Sequence, residues 1–66
     1  MNIKYPEITV ELSGKDGNAF AIIGRVMRAL RKHNIPDEKV EEFRVEAMSG
    51  SYDNLLQTCI KWVNVE

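Results

Sequence analysis

The chain has 66 residues, 44% of them hydrophobic and 29% charged, with nine Lys or Arg against ten Asp or Glu. That length holds one domain, residues 1–66, around one core, and the composition is too apolar for disorder. A formal charge of −1 supplies no global field for nucleic acid or an anionic membrane, so neither is an expected partner.

Cys59 is the single cysteine, which excludes an intramolecular disulfide. Secreted domains of this size usually carry a disulfide framework, so the expected compartment is reducing and cytoplasmic. Residues 1–6 contain no apolar signal region, and the longest apolar run, residues 19–23, is far too short to span a bilayer.

Ile8, Val10 and Leu12 alternate with Glu7, Thr9 and Glu11. This period of two predicts a half-buried strand over 8–12. Gly14, Asp16, Gly17 and Asn18 then predict a turn, with Asp16 or Asn18 capping the next helix. Residues 19–33 read as that amphipathic helix. Phe20, Ile22, Ile23, Val26, Met27, Ala29 and Leu30 share one half, and Arg25, Arg28, Arg31 and Lys32 occupy the other. Asn34 is an expected left-handed stop, and Pro36 reinforces it.

Residues 37–48 fit two patterns. As a helix they align Val40, Phe43, Ala47 and Met48; as a strand they alternate Phe43, Val45 and Ala47 with Glu42, Arg44 and Glu46. The helix is preferred, because Pro36-Asp37-Glu38 opens one and the composition favours it. Val45 then faces partly outward. Gly50 is the expected left-handed terminator, and Ser51 or Asp53 the next cap. Residues 52–63 predict a third helix with Tyr52, Leu55, Leu56, Cys59, Ile60, Trp62 and Val63 on one arc, and Asp53, Asn54, Gln57, Thr58, Lys61 and Asn64 on the other. The tail, 63–66, alternates as a short strand would. The fold class is therefore α+β, a small β-α-α-α domain with a candidate C-terminal strand.

Among groups that could carry chemistry, the Arg25, Arg28, Arg31 and Lys32 stripe is the most distinctive. It suits nucleic acid or an acidic protein surface, the former disfavoured by the net acidic charge, against the default of a solvated face partly paired with the acids of 37–46. A second candidate is the strand-to-helix loop with Gly14, Lys15, Gly17 and Asn18. Its backbone N–H groups could hold a small anion such as a nucleotide phosphate, although no phosphate-loop spacing is present and Asp16 would repel the ligand. The plain alternative there is a turn. His33 and Cys59 cannot by themselves make a metal site, and Cys59 reads as inert core. Phe20, Phe43 and Trp62 also read as core, while Tyr5 and Tyr52 suit a surface. The acids of 37–46 read as solvating charges, and no cofactor is implied. A helix-turn-helix over 37–63 would set Glu38, Glu41, Glu42 and Glu46 against a phosphate backbone, where they repel.

The stretches Gly14-Lys15-Asp16-Gly17-Asn18-Ala19-Phe20-Ala21-Ile22-Ile23-Gly24-Arg25-Val26 and Glu46-Ala47-Met48-Ser49-Gly50-Ser51-Tyr52-Asp53-Asn54-Leu55-Leu56, with Trp62-Val63, resemble a family of small uncharacterised proteins encoded by bacteria and phages. The resemblance covers nearly the whole chain and carries no catalytic motif. It implies a phage or mobile-element regulator, or an inhibitor of a host or defence protein.

The sequence thus predicts a non-enzymatic protein-binding module, with anion binding at 14–18 as the alternative. A homodimer is also expected. A domain this small buries only about 60% of its unfolded surface, and the single confident strand needs a partner, either the tail or a second copy.

Overall fold

A computed structural model describes residues 2–66. The elements run in the order β1 (Tyr5–Val10), α1 (Ala19–Lys32), α2 (Asp37–Ala47), α3 (Tyr52–Trp62) and β2 (Val63–Val65). The α+β class and the β-α-α-α order hold, and the tail is a strand.

β1 lies earlier than its alternation suggested. Leu12 falls outside it, although its N–H still donates to the Glu66 carbonyl at 2.7 Å. β1 and β2 pair in parallel as a two-stranded sheet. Tyr5 sits opposite Val63 but Thr9 opposite Asn64, so residues 6–8 bulge from the ladder. Pro6, which has no N–H to donate, falls in that bulge, as expected for proline inside a strand. The Asn64 side-chain amide spans it, with Nδ2 donating to the Pro6 carbonyl at 3.2 Å.

This pairing bears on the expected homodimer. The tail supplies the partner that β1 needs from the same chain. Pro6, the bulge and the exposed Glu7 blunt the strand against a second copy.

Each helix boundary has a local cause. In the loop before α1, the Lys15 N–H donates to the Leu12 carbonyl at 3.3 Å, with Gly14 at φ 74°. That is the third position of a type II turn, which needs positive φ and so favours glycine. Asn18 caps α1, its side chain accepting from the Phe20 N–H at 2.9 Å. α1 ends in a Schellman motif. Asn34 takes φ 63°, its N–H donates to Arg31 at 3.0 Å, and the Ile35 N–H donates to Leu30 at 3.1 Å. Ile35 then packs against the core.

Residues 37–47 are helical, with Val45 exposed as expected. The end of α2 departs from expectation, because Gly50 is not among the residues with positive φ. Side chains cap the helix instead. Ser49 Oγ donates to the Glu46 carbonyl at 2.7 Å, and Asn54 Nδ2 donates to the same oxygen at 3.0 Å. A Cβ at residue 50 would stand 3.2 Å from the Asn54 Cβ, so glycine serves close approach here.

The core lies between the sheet and the three helices. Phe43 and Trp62 meet edge to face at 5.5 Å between ring centres, with Tyr5 on Trp62 at 5.9 Å. Lys4 Nζ lies 4.0 Å over the Trp62 ring, a cation–π contact. The indole N–H donates to Glu46 Oε1 at 3.2 Å. Ile8, Val26, Leu30, Val40 and Val63 are among the other side chains that fill the core.

Two residues exchange the environments expected of them. Phe20, assigned to the core, is 71% exposed, because it lies at the edge of the apolar arc, by the open mouth between helix ends. Thr58, assigned to the polar arc, is only 1% exposed. Its hydroxyl donates back to the Asn54 carbonyl at 2.8 Å, which satisfies the group and makes its burial tolerable. The buried side of α3 is therefore turned toward Thr58. Ile60, on the far edge of the arc, is left exposed.

Candidate interaction surface

Arg28, Arg31 and Lys32 are exposed on α1, and Arg25 is half-buried. The five ion pairs among the described residues use Lys4, Lys15, Lys39, Arg44 and Lys61, and none uses a cation of α1. Three of the five acids expected to neutralise the stripe are engaged elsewhere, and Asp37 and Glu38 form no ion pair. Glu42 pairs with Lys4 and Lys39, Glu41 with Arg44, and Glu46 with Lys61. Glu41's pKa is held below the ordinary carboxylate value, chiefly by the hydrogen bond from Arg44, with a smaller pull from the Arg31 charge. The Arg31 charge thus acts on an acid of α2 without forming an ion pair, and Arg25, Arg28 and Lys32 form none either. Arg25 Nη1 is shut off from solvent and has no hydrogen-bond acceptor.

An apolar groove of about 210 Å³ lies between the start of α1, the end of α2 and the start of α3, and none of the stripe's cations lines it. Ile23, Ala47 and Leu55 form its floor, and Phe20, Met48 and Tyr52 its rim. Met48 is 46% and Tyr52 49% exposed. Two of the rim residues are anchored: the Tyr52 hydroxyl donates to the Gly17 carbonyl at 2.6 Å, and Arg44 Nη1 donates to Met48 Sδ at 3.4 Å. The rim is not visible in the sequence, because its members belong to separate segments and all three fit apolar stripes there.

The loop alternative meets local competition. Gly14, Lys15, Gly17 and Asn18 are all exposed. The Asn18 N–H already donates to Asp16 Oδ1 at 3.0 Å, and the Phe20 N–H to Asn18 Oδ1. Lys15 Nζ lies 3.8 Å from Glu11. Two amides at the helix start are thus occupied, and an anion arriving there would face the Asp16 carboxylate.

His33 is the exposed cap of α1, away from the buried Cys59. Burial pushes the Cys59 thiol up to about 11, so little nucleophilic thiolate forms near neutral pH. Native protein at pH 8 is expected to resist a thiol reagent such as Ellman's reagent until denaturant is added; rapid native labelling would show that the site opens. The folded thiol holds its proton where the unfolded one loses it, so stability falls as pH rises from about 9 toward 11. Denaturant melts of wild type and Cys59→Ala should show a shallower decline over that range in the variant.

Among the described residues no three His, Cys, Asp or Glu side chains converge as a metal would need, and no helix is long and apolar enough to cross a membrane. In comparisons with known proteins, the chain matches no family model, no curated protein and no solved structure.

Proposed function

We propose that the chain is a non-enzymatic protein-binding module whose α1 face holds an acidic surface of another protein. The observation that carries this reading is the set of α1 cations, Arg25, Arg28, Arg31 and Lys32, none of which forms an ion pair among the described residues. Keeping positive charge in one local patch steers an acidic partner and fixes its register, which net charge near zero cannot do. On this reading its role is that of a phage or mobile-element regulator, or an inhibitor of a host or defence protein. The lone, buried Cys59 supports a reducing, cytoplasmic setting.

Affinity capture from lysate of the source cell tests the reading. Wild-type bait should retain a protein that Arg25→Glu/Arg28→Glu bait loses. A bare wild-type bait, or undiminished capture by the variant, sinks it. Self-association is the competing use of the surface, and sedimentation separates the two. A heavier species at micromolar protein assigns the surface to the homodimer expected from the sequence, whereas a sharp species at the 7.6 kDa monomer mass, unchanged on concentrating, leaves it to another protein.

A further inference from the structure

We propose that the groove rimmed by Phe20, Met48 and Tyr52 takes one apolar side chain of the acidic partner segment, and that α1 itself sets the spacing between that anchor and the acids. The inference rests on the protein-binding reading above and specifies the ligand it implies: an extended segment with one bulky apolar residue and an acidic residue about four positions away.

The groove's size fits a single side chain. A cavity of about 150 Å³ admits benzene, so about 210 Å³ holds one aromatic or branched aliphatic group. Its floor of Ile23, Ala47 and Leu55 is apolar, and the bonds from Tyr52 to Gly17 and from Arg44 to Met48 hold two rim residues in place. A preorganised rim avoids part of the ordering cost of binding.

Charge enters along the same ridge of α1. Phe20, Gly24, Arg28 and Lys32 succeed one another at intervals of four, so they line one row of the helix surface. The row runs from the groove's rim, across a bare glycine, to two exposed cations that have no ion pair. A Cβ at Gly24 would meet nothing within 4 Å, so the helix backbone there offers a clear track. Phe20 and Arg28 are eight residues apart, about 12 Å along the helix at 1.5 Å per residue. An extended peptide covers that span in about four residues at 3.3 Å each. An acid at that distance from the anchor reaches Arg28, and one a turn farther on reaches Lys32.

Gly24→Glu makes the decisive variant. It fills the track with a side chain of the wrong sign, yet removes a glycine from a helix interior where nothing crowds a Cβ, so it should fold at least as well as wild type. A displayed library of random dodecapeptides serves as the probe. Selection on wild type should enrich peptides with one Phe, Trp, Leu or Met and an Asp or Glu about four residues away. A selected peptide should shift the methyl resonances of Ile23, Met48 and Leu55. It should bind at least tenfold more weakly when its anchor is changed to Ala, and at least tenfold more weakly to Gly24→Glu protein with an undiminished melting temperature. Acidic peptides without an anchor would overturn the groove and leave the charge reading standing. Anchored peptides without acids would overturn the charge reading. No enrichment overturns both. A wild-type dimer that Met48→Ser dissociates would assign the groove to a second copy and overturn the proposal.

Discussion

Trp62→Ala is expected to unfold the protein outright. A chain of 66 residues has a total stability of about 3–10 kcal/mol at the usual 0.05–0.15 kcal/mol per residue. Truncating a buried tryptophan costs about 3–5 kcal/mol. Trp62 is only 2% exposed and joins three parts of the fold: Tyr5 of β1 and Phe43 of α2 pack on its ring, Lys4 lies above it, and Glu46 accepts its indole N–H. The variant should lose its cooperative thermal transition by circular dichroism. Trp62→Phe keeps a ring in the site and loses the hydrogen bond, so about 1–3 kcal/mol is expected. A cooperative melt for Trp62→Ala within a few degrees of wild type would show that the core can close without this side chain.

Ending the chain after Trp62 should be as damaging, for a different reason. The four residues removed include Val63, which is fully buried, and all of β2. Burial of one such valine contributes about 1.5–3 kcal/mol. The cut also removes the Glu66 N–H donated to Val10 and the Glu66 carbonyl that accepts from Leu12 and Ser13. At about 1 kcal/mol net per hydrogen bond, these losses together reach the stability range above. The expected spectrum is that of a poorly ordered, partly helical chain. A truncated protein with the wild-type denaturation midpoint would mean that the helices hold β1 without a partner strand.

By contrast, Gly24→Ala should stabilise. Replacing glycine in an uncrowded helix interior is worth about 1 kcal/mol, or roughly 4–8 °C in melting temperature for a domain this small. A lower midpoint would reveal crowding at residue 24.

The elements were legible in the sequence because their signals are local. Asn18 and Ser51 each precede an amphipathic run, and each side chain does accept from a first-turn amide. Asn34 and Pro36 bracket a true stop. What escaped was tertiary. Periodicity shows that α3 has an apolar arc, but neighbours decide how far that arc is rotated into the core, so Thr58 went in and Ile60 stayed out. The groove was illegible for the same reason: it is made by three helix ends meeting, and no single segment shows it. The α1 stripe was legible as a run of charge. Its lack of ion pairs was not, because that depends on Glu41, Glu42 and Glu46 finding other cations first.

The parallel pairing of β1 with β2 also sets the order of assembly. Asn64 and Pro6 touch across 58 residues, so the sheet is among the most non-local contacts of the described residues, while α1 and α2 meet through a short turn. Loop closure over such a span comes late and slows folding relative to a purely helical hairpin. During synthesis helical turns can form while β1 waits, its hydrogen-bonding groups open to solvent and to other chains. Only when residues 63–65 have cleared the ribosome does β1 find its strand. A nascent chain stalled before that point should be protease-sensitive along its whole length, as the chain ended after Trp62 is expected to be.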